Sequence, residues 1–237
     1  MNDNCLSINE NDFTYLIRRF YIDGFFDRRV KEHFKAGMRV LDIGGKKIRK
    51  RGYFNIENYS LKVEYANINP DVKPDYLCDA SAIPCKNNLY DGIILGEILE
   101  HVPDPKAVLK EAYRILKKGG KVLITVPFMM CIHADPYDYG RYTDHYWNVT
   151  AEEIGFKVVD IERQGTIYAV VANITKIWAN QQLNHFKLTR VKQVAIKKIV
   201  PLLIKYLMYL ESISQRENEL YKAHTTGFGI VLEKSEF

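Results

Sequence analysis

The densest run of side chains that could do chemistry lies between residues 131 and 145. An imidazole titrates close to neutral pH and is the side chain that most often accepts a proton in catalysis, above all when a carboxylate orients it. His133 is followed by Asp135 and then by Asp138. We therefore expect His133, with Asp135 or Asp138, to take a proton from a hydroxyl group, although an isolated loop histidine is more often only hydrated.

Other polar residues of the same run suit the binding of a substrate. A guanidinium forms paired hydrogen bonds to acidic groups, while phenols, imidazoles and carboxylates bind hydroxyl groups. The residues predicted to bind substrate on this basis are Tyr137, Asp138, Arg141, Tyr142 and His145. These side chains suit a substrate that contains a sugar or an acidic group.

A second polar group follows an apolar run at residues 92–95 and consists of Glu97, Glu100 and His101. His101 is the second candidate for the proton acceptor. The alternative is that Glu100 and His101 only fix the loop that precedes Asp104, because polar side chains in such loops usually satisfy backbone groups.

A glycine pair, Gly44 and Gly45, ends the first apolar run of the chain. Backbone N–H groups in a glycine turn bind anionic groups well because no Cβ obstructs the approach. A turn that serves only close packing is the alternative.

The four cysteines are scattered and form no CxxC pair, which favours free thiols over a disulfide or metal framework. They are Cys5, Cys78, Cys85 and Cys131. Cys131 and His133 could supply two metal ligands, but no second pair has matching spacing. The sequence therefore predicts no metal site.

The elements that must position these residues alternate between strands and helices. Apolar runs typical of strands lie at residues 39–45, 63–68, 76–78, 92–95, 121–126, 156–161 and 227–233. Such alternation predicts a doubly wound, mostly parallel sheet with helices on both faces, in which ligands bind beyond the carboxyl ends of the strands.

The strongest helical pattern follows Asp104 and Pro105, which suit the N-cap and first position of a helix, and we expect Gly119 and Gly120 to end it. Helices are also predicted at residues 13–33, with a break at Gly24, and just before Gly155. A further helical region should follow strand 156–161 and form an insertion before the last strand.

Four segments in order resemble the class I S-adenosylmethionine-dependent methyltransferases, and specifically the type 11 methyltransferase family. They are residues 40–45 (VLDIGG), 91–105 (DGIILGEILEHVPDP), 114–127 (RILKKGGKVLITVP) and 136–142 (PYDYGRY). The resemblance covers residues 38–165. It implies a Rossmann-like fold whose seventh strand is antiparallel, and S-adenosyl-L-methionine as the cofactor.

The resemblance also implies which residues would bind that cofactor. Gly44 and Gly45 would bind the methionine carboxylate, while Asp42 would lie near the amino group and Glu97 over the methionine end. Asn69 would bind the ribose, and Asp79 with the Ala80 backbone would bind the adenine.

Two positions depart from the family pattern. Lys46 stands where the family usually has glycine, and Asn69 stands where it usually has an acid. An amide oxygen accepts ribose hydrogen bonds, but without the strength that a charge gives. These departures favour the alternative of a degenerate, non-catalytic member that binds a partner or a nucleotide. A nicotinamide-dependent oxidoreductase is disfavoured because the chain has no full GxGxxG.

Segment 136–142 further resembles a subset of the family associated with bacterial surface polysaccharides. The function predicted from it is O-methylation of a sugar or surface-glycan precursor in the cytoplasm; carbon and nitrogen acceptors stay open. The layout expected within a single domain is N-terminal helices at 1–37, a cofactor-binding core at 38–165, a helical lid or interface at 175–222 and a last strand at 226–234.

The formal net charge is +5, and residues 176–205 contain seven lysines and arginines but no acid. An apolar stretch with lysines at residues 196–210 could be a lid, a homodimer face or a helix that rests on anionic lipid at the inner membrane face. No aromatic stacking platform accompanies the charge, so nucleic acid is not an expected partner.

Overall fold

The computed structural model of the protein describes residues 8–48, 52–134, 136–214, 221 and 223–235. Seven strands of the described chain form one sheet in the order β3-β2-β1-β4-β5-β7-β6. Their bounds are β1 Arg39–Ile43, β2 Lys62–Asn67, β3 Tyr76–Leu77, β4 Tyr90–Gly96, β5 Leu116–Pro127, β6 Phe156–Arg163 and β7 Gly227–Lys234. The predicted α/β class is confirmed.

The direction of the strands follows the expected pattern. Strands β1 to β5 are parallel, whereas β7 pairs antiparallel with both β5 and β6. The chain builds the sheet outward from β1 through β2 to β3, and then returns to place β4 on the other side of β1. This reversal opens a crevice at the carboxyl ends of β1 and β4, which is the usual ligand position in such sheets.

Five helices of the described chain cover the sheet and extend beyond it: α1 Ile17–His33, α2 Pro105–Ile115, α3 Asp144–Ile154, α4 Ile167–His185 and α5 Arg190–Ile213. Helix α2 begins as predicted, because Asp104 caps it by accepting a hydrogen bond from the Ala107 N–H at 3.1 Å. Gly155 ends α3 in the left-handed conformation, with φ of 103°.

Three apolar clusters hold these layers together. One joins the sheet to α2 and α3 and includes Leu41, Leu95 and Trp147. A second packs α1 on the opposite face of the sheet, through residues such as Phe25. A third joins α4 and α5 to the start of α1, with Ile204 fully buried. Helices α4 and α5 therefore pack on the start of α1.

The structure corrects several predicted boundaries. Helix α1 continues through Gly24 without a break, and α2 ends at Ile115, before Gly119, because Leu116 already pairs with Tyr90 as the start of β5. The helical region begins at Ile167, earlier than the predicted residue 175. No helix in the described part of the chain has the length and apolarity needed to cross a bilayer.

Lys176 ties the segment before α1 to α4. Its side chain is fully buried, and its ammonium donates hydrogen bonds to the carbonyls of Asn9, Asp12 and Tyr15 at 2.8, 2.9 and 2.9 Å. Burial lowers the pKa of this ammonium. Lys176 is therefore a structural residue. This corrects the sequence analysis, which counted it among the basic residues of segment 176–205.

We expect Lys176→Met to lower the free energy of unfolding by about 2–4 kcal/mol, because three backbone carbonyls lose their donor. Chemical denaturation measures the change. Lys197→Met on exposed α5 is the matched control and should stay within about 0.5 kcal/mol of the wild type. Equal losses in the two variants would contradict the structural role of Lys176.

Candidate functional site

A cavity of about 800 Å³ opens at the carboxyl ends of β1 and β4. Its wall combines the turn after β1, the end of β4, the segment before α1 with the first turns of that helix, and the loop after β5. Residues of its wall that matter below are Tyr15, Arg18, Asp23, Asp42, Gly44, Gly45, Lys46, Tyr53, Glu97, His101 and His133. The volume lies in the range typical of sites for small organic ligands.

The glycine turn after β1 forms part of the wall of this cavity. Gly44 has φ of +81°, and a Cβ on it would lie 2.5 Å from the Ile98 side chain. A Cβ on Gly45 would lie 2.1 Å from the Asp42 carboxyl group. Only glycine fits both positions, so the backbone of this turn faces the cavity without a side chain in the way.

Asn67, the last residue of β2, holds the turn from behind. Its amide nitrogen donates hydrogen bonds to the Gly44 and Gly45 carbonyls, both at 2.9 Å. Asn69, which the resemblance implied for ribose binding, is exposed and caps a short 3-10 turn by accepting from the Asp71 N–H. Sequence reasoning missed Asn67 because the end of β2 could not be located to one residue.

The predicted adenine residues lie apart from the cavity wall formed by the described chain. Asp79 accepts hydrogen bonds from the Ser81 hydroxyl at 2.6 Å and from the Ser81 N–H at 2.8 Å, and these bonds lower the pKa of its carboxyl group. Ala80 is half-buried beside it. The cavity therefore covers the implied methionine end of a ligand but does not extend to Asp79.

Arg18 and Glu97 form a buried ion pair in the wall of the cavity. Arg18 Nη2 lies 2.6 Å from Glu97 Oε1, and their side chains are only 3% and 16% exposed. The same guanidinium donates to the Val126 carbonyl at 2.8 Å and to Gln164. Glu97 has φ of 51°, a strained backbone for a residue other than glycine, at the point where β4 ends.

Three further groups meet just beyond Glu97. Glu100 lies in a 3-10 turn after β4, its residue is 1% exposed, and neither carboxylate oxygen has a hydrogen-bond partner in the described structure. Burial, followed by the nearby charge of Glu97, raises the pKa of Glu100 to about 8. His101 Nε2 and His133 Nε2 lie 3.5 and 4.0 Å from Glu100 Oε1.

The two histidine rings contact each other edge to face, with centroids 4.8 Å apart. His101 Nδ1 lies 2.6 Å from the Tyr137 carbonyl. His133 Nδ1 lies 3.2 Å from the Cys131 carbonyl, 3.5 Å from Asp138 and 3.3 Å from Arg141 Nη2. Both candidate bases are thus brought together at the cavity, each with its Nδ1 beside a backbone carbonyl.

The other predicted acceptor-site residues have different surroundings. Asp138 is held by Arg141 through bonds of 2.5 and 2.8 Å, and this pairing lowers the pKa of the Asp138 carboxyl group to about 2. Tyr142 stacks on Tyr146. Tyr137 and His145 are exposed.

None of Tyr137, Asp138, Arg141, Tyr142 and His145 lines the cavity in the described part of the chain. Asp135 lies outside the described residues.

Three polar or aromatic wall residues escaped the sequence analysis because they belong to no motif. Asp23 is buried in α1 and accepts hydrogen bonds from the Tyr15 hydroxyl at 2.8 Å and the Tyr53 N–H at 2.7 Å. Burial raises the pKa of this carboxyl group. The Tyr15 and Tyr53 rings lie 4.6 Å apart and provide an aromatic surface in the wall of the cavity.

Comparison with known proteins agrees with this arrangement. Residues 15–161 match the family described as methyltransferase domain. A demethylmenaquinone methyltransferase of Anoxybacillus flavithermus is 29% identical over 106 residues, which cover 44% of this chain and 38% of that protein. The first relatives matched share only 28–38% of their own length with this chain.

Solved structures share the fold at low identity. A protein of Galdieria sulphuraria described as a sarcosine dimethylglycine methyltransferase superposes with a TM-score of 0.60 at 17% identity, covering 90% of this chain and 85% of that one. The cyclase SpnF superposes with a TM-score of 0.57 at 15% identity, covering 90% and 80%.

The fold and the family match together define the class of the protein, a Rossmann-like α/β protein of the methyltransferase type. The chain belongs to the methyltransferase domain family, and the resemblance found in its motifs is confirmed.

Proposed function

We propose that the protein is an S-adenosylmethionine-dependent methyltransferase that methylates an oxygen atom of a small polar acceptor, with a sugar or surface-glycan precursor as the acceptor class. The observation that carries the proposal is that one cavity of about 800 Å³ has both the glycine turn and two imidazoles, His101 and His133, in its wall.

The residues present fit the cofactor. The turn at Gly44 and Gly45 offers backbone with no Cβ to obstruct a carboxylate, and Asp42 brings negative charge for an ammonium group. Glu97 lies in the same wall with its charge paired to Arg18. When bound, S-adenosylmethionine supplies a methyl group on a positively charged sulfur, and the electrons of the broken carbon–sulfur bond stay on that sulfur. Lys46 lies in the wall, whereas Lys47 turns away to pair with Asp75 at 2.7 Å.

The acceptor end suits a polar substrate with hydroxyl groups. An attacking hydroxyl must lose its proton as the bond from oxygen to the methyl carbon forms, and the imidazoles of His101 and His133 are the groups at the wall that can assist this loss. Tyr15, Tyr53 and buried Asp23 combine an aromatic surface with hydrogen-bonding groups, a combination that fits a sugar ring. The likeness of residues 136–142 to the surface-polysaccharide subset supports the same acceptor class.

A second candidate function follows from the fold alone. The structure of a cyclase, SpnF, shares this fold, and Lys46 and Asn69 depart from the family pattern. A member that binds a nucleotide or partner without transferring a methyl group is therefore the alternative. A screen of acceptors with a labelled methyl donor separates the two, starting with nucleotide sugars.

The proposal also includes a membrane contact through α5. The face of α5 that points away from α4 exposes Ile199, Leu202, Tyr206 and Tyr209, and exposed lysines lie along the same helix at positions 197, 198 and 205. Apolar side chains flanked by lysines fit anionic lipid, and a contact of this kind would hold the enzyme at the inner membrane face. A homodimer through the same face is the competing occupant.

The cofactor prediction is tested first by calorimetric titration. We expect micromolar binding of S-adenosylmethionine and S-adenosylhomocysteine and no binding of a nicotinamide dinucleotide. Gly45→Ala should weaken binding by at least about tenfold, since its Cβ displaces the Asp42 carboxyl group. Gly24→Ala in α1 is the matched control. Binding of neither compound would favour the non-catalytic alternative.

His133→Ala should lower turnover about a hundredfold or more, because proton transfer from the acceptor loses its assistance, and should leave cofactor affinity within about twofold. Labelled-methyl transfer and calorimetry measure the two quantities. His185→Ala at the end of α4 is the control. Unchanged turnover of His133→Ala would remove His133 from the catalytic machinery.

Co-sedimentation with lipid vesicles tests the membrane contact. Vesicles that contain phosphatidylglycerol should retain the protein better than pure phosphatidylcholine, and Leu202→Glu with Tyr206→Glu should abolish the difference. Leu77→Glu, at an exposed position on β3, is the matched control. Loss of a dimer in the double variant, without any vesicle binding by the wild type, would identify the face as a homodimer interface instead.

A further inference from the structure

Glu100 is a buried carboxyl group without a hydrogen-bond partner among the described residues. Its residue is 1% exposed, and neither oxygen of its carboxylate accepts a hydrogen bond from the described chain. A buried carboxylate without a donor is unfavourable by several kcal/mol unless a proton or a cation compensates its charge. The groups that face it are therefore informative about what completes the site.

Those groups are the Nε2 atoms of His101 and His133. They lie 3.5 and 4.0 Å from Glu100 Oε1, and one ligand atom from each of the three residues lies within 4.8 Å of the other two. Two ligands on one metal ion, each at about 2.1 Å and a tetrahedral angle, are about 3.4 Å apart. The ligand atoms need to approach one another by at most about 1.4 Å to reach that geometry.

The other ring nitrogens strengthen this interpretation. Metal-binding histidines usually donate the second N–H of the ring to a carbonyl or carboxylate, which fixes the ring and leaves the remaining nitrogen free to bind. His101 Nδ1 lies 2.6 Å from the Tyr137 carbonyl, and His133 Nδ1 lies 3.2 Å from the Cys131 carbonyl. Both Nε2 atoms are left facing Glu100.

From this geometry we infer that Glu100, His101 and His133 hold a divalent metal ion, and that the ion coordinates the hydroxyl group of the acceptor. The second half of the inference rests on the proposed methyl transfer, whereas the metal site itself does not.

The ligand set indicates which ions fit. Two imidazoles and one carboxylate suit Zn²⁺, Mn²⁺ or another first-row divalent ion better than Ca²⁺, which prefers oxygen ligands alone. The side chains of His101 and His133 are 23% and 34% exposed, and both residues line the cavity. Three protein ligands with the remaining positions open toward a cavity are typical of catalytic rather than structural metal sites.

Neighbouring charges permit a cation here. The carboxylate of Glu97 is held by Arg18, and the guanidinium of Arg141, although 3.3 Å from His133 Nδ1, is neutralised by its two bonds to Asp138. Glu100 is the one carboxyl group of these described residues whose oxygens accept no hydrogen bond. A divalent ion would supply that missing partner.

A bound ion would change the chemistry assigned to the histidines. Coordination lowers the pKa of a hydroxyl group, so that its proton passes to water before the transfer. A lone pair of the resulting alkoxide oxygen then forms the bond to the methyl carbon, the carbon–sulfur bond breaks, and its electron pair stays on sulfur. His101 and His133 act here as ligands and not as proton acceptors.

The test is titration of the chelator-treated full chain with Mn²⁺, followed by electron paramagnetic resonance. One Mn²⁺ should bind per chain, and Zn²⁺ should displace it. Glu100→Gln, which keeps the size of the side chain, and His101→Ala should each weaken binding by at least about tenfold. His185→Ala, a histidine outside the cluster, should bind as the wild type does.

Thermal melting distinguishes a folded variant that lacks the site from a misfolded one. Added Zn²⁺ should raise the melting temperature of the wild type but not that of a folded Glu100→Gln variant. A wild type that binds neither Mn²⁺ nor Zn²⁺, or equal affinity in wild type, Glu100→Gln and His101→Ala, would overturn the site and leave a cluster that shares protons.

Methyl transfer is measured separately from metal binding, so that failure of the metal site and failure of the proposed function give different results. Metal binding that depends on Glu100, without methyl transfer to any acceptor, would uphold the site and overturn the proposed function. Full methyl transfer in excess chelator would overturn the role of the ion in coordinating the acceptor. Transfer that chelation abolishes and Mn²⁺ or Zn²⁺ restores is the expected result.

Discussion

The arrangement of the cavity wall depends on the bonds made by the guanidinium of Arg18. From the first turn of α1 it binds Glu97 after β4, the Val126 carbonyl of β5 and Gln164 after β6, while the Arg18 N–H donates to Asn173 of α4 at 3.0 Å. The buried side chain of Arg18 thus joins three segments that are far apart in sequence, and its backbone N–H joins a fourth. Breaking a buried ion pair on one side leaves the other charge uncompensated, so loss of Arg18 would leave the buried carboxylate of Glu97 without its partner.

Arg18 also sets the electrostatics of the site. Its charge holds Glu97 beside Glu100 and opposes the rise in pKa that burial and Glu97 impose on Glu100. Two acidic side chains this close together repel each other less when one of them is paired, as Glu97 is with Arg18. Glu100, which lacks such a partner, faces the two imidazoles. The site therefore has a paired carboxylate at Glu97 and an unsatisfied carboxyl group beside the imidazoles.

The elements of the sheet were predictable because their signals are local. Apolar runs marked the strands, and Asp104 with Pro105 marked the start of α2, since caps act within one turn of a helix. The ends of helices were less predictable. Helix α2 stops at Ile115, before the glycines that were expected to end it, because Leu116 already pairs with Tyr90 in the sheet. That pairing joins residues distant in sequence.

The site was predictable only in part, for the same reason. Gly44, Gly45, Glu97 and His101 stand in motifs, His133 stands in the polar run at residues 131–145, and all five line the cavity. Arg18, Asn67 and Lys176 were missed or misjudged because their partners lie on other elements, and a lysine that satisfies three carbonyls is indistinguishable in sequence from one on the surface. The absence of a metal was inferred from Cys131 and His133 alone, whereas the geometry groups His133 with Glu100 and His101.

The wall of the cavity is built from two kinds of chain segment. The glycine turn rests on β1 and β2, which belong to the sheet, whereas Tyr15 and Tyr53 lie outside the strands and His133 comes from the loop after β5. A sheet shared with structures only 15–17% identical in sequence therefore constrains the glycine turn far more than these other segments. Loops carried by a fixed scaffold can change substrate without changing fold, so acceptor choice should reside in residues such as Tyr15 and Tyr53 rather than in the family motifs.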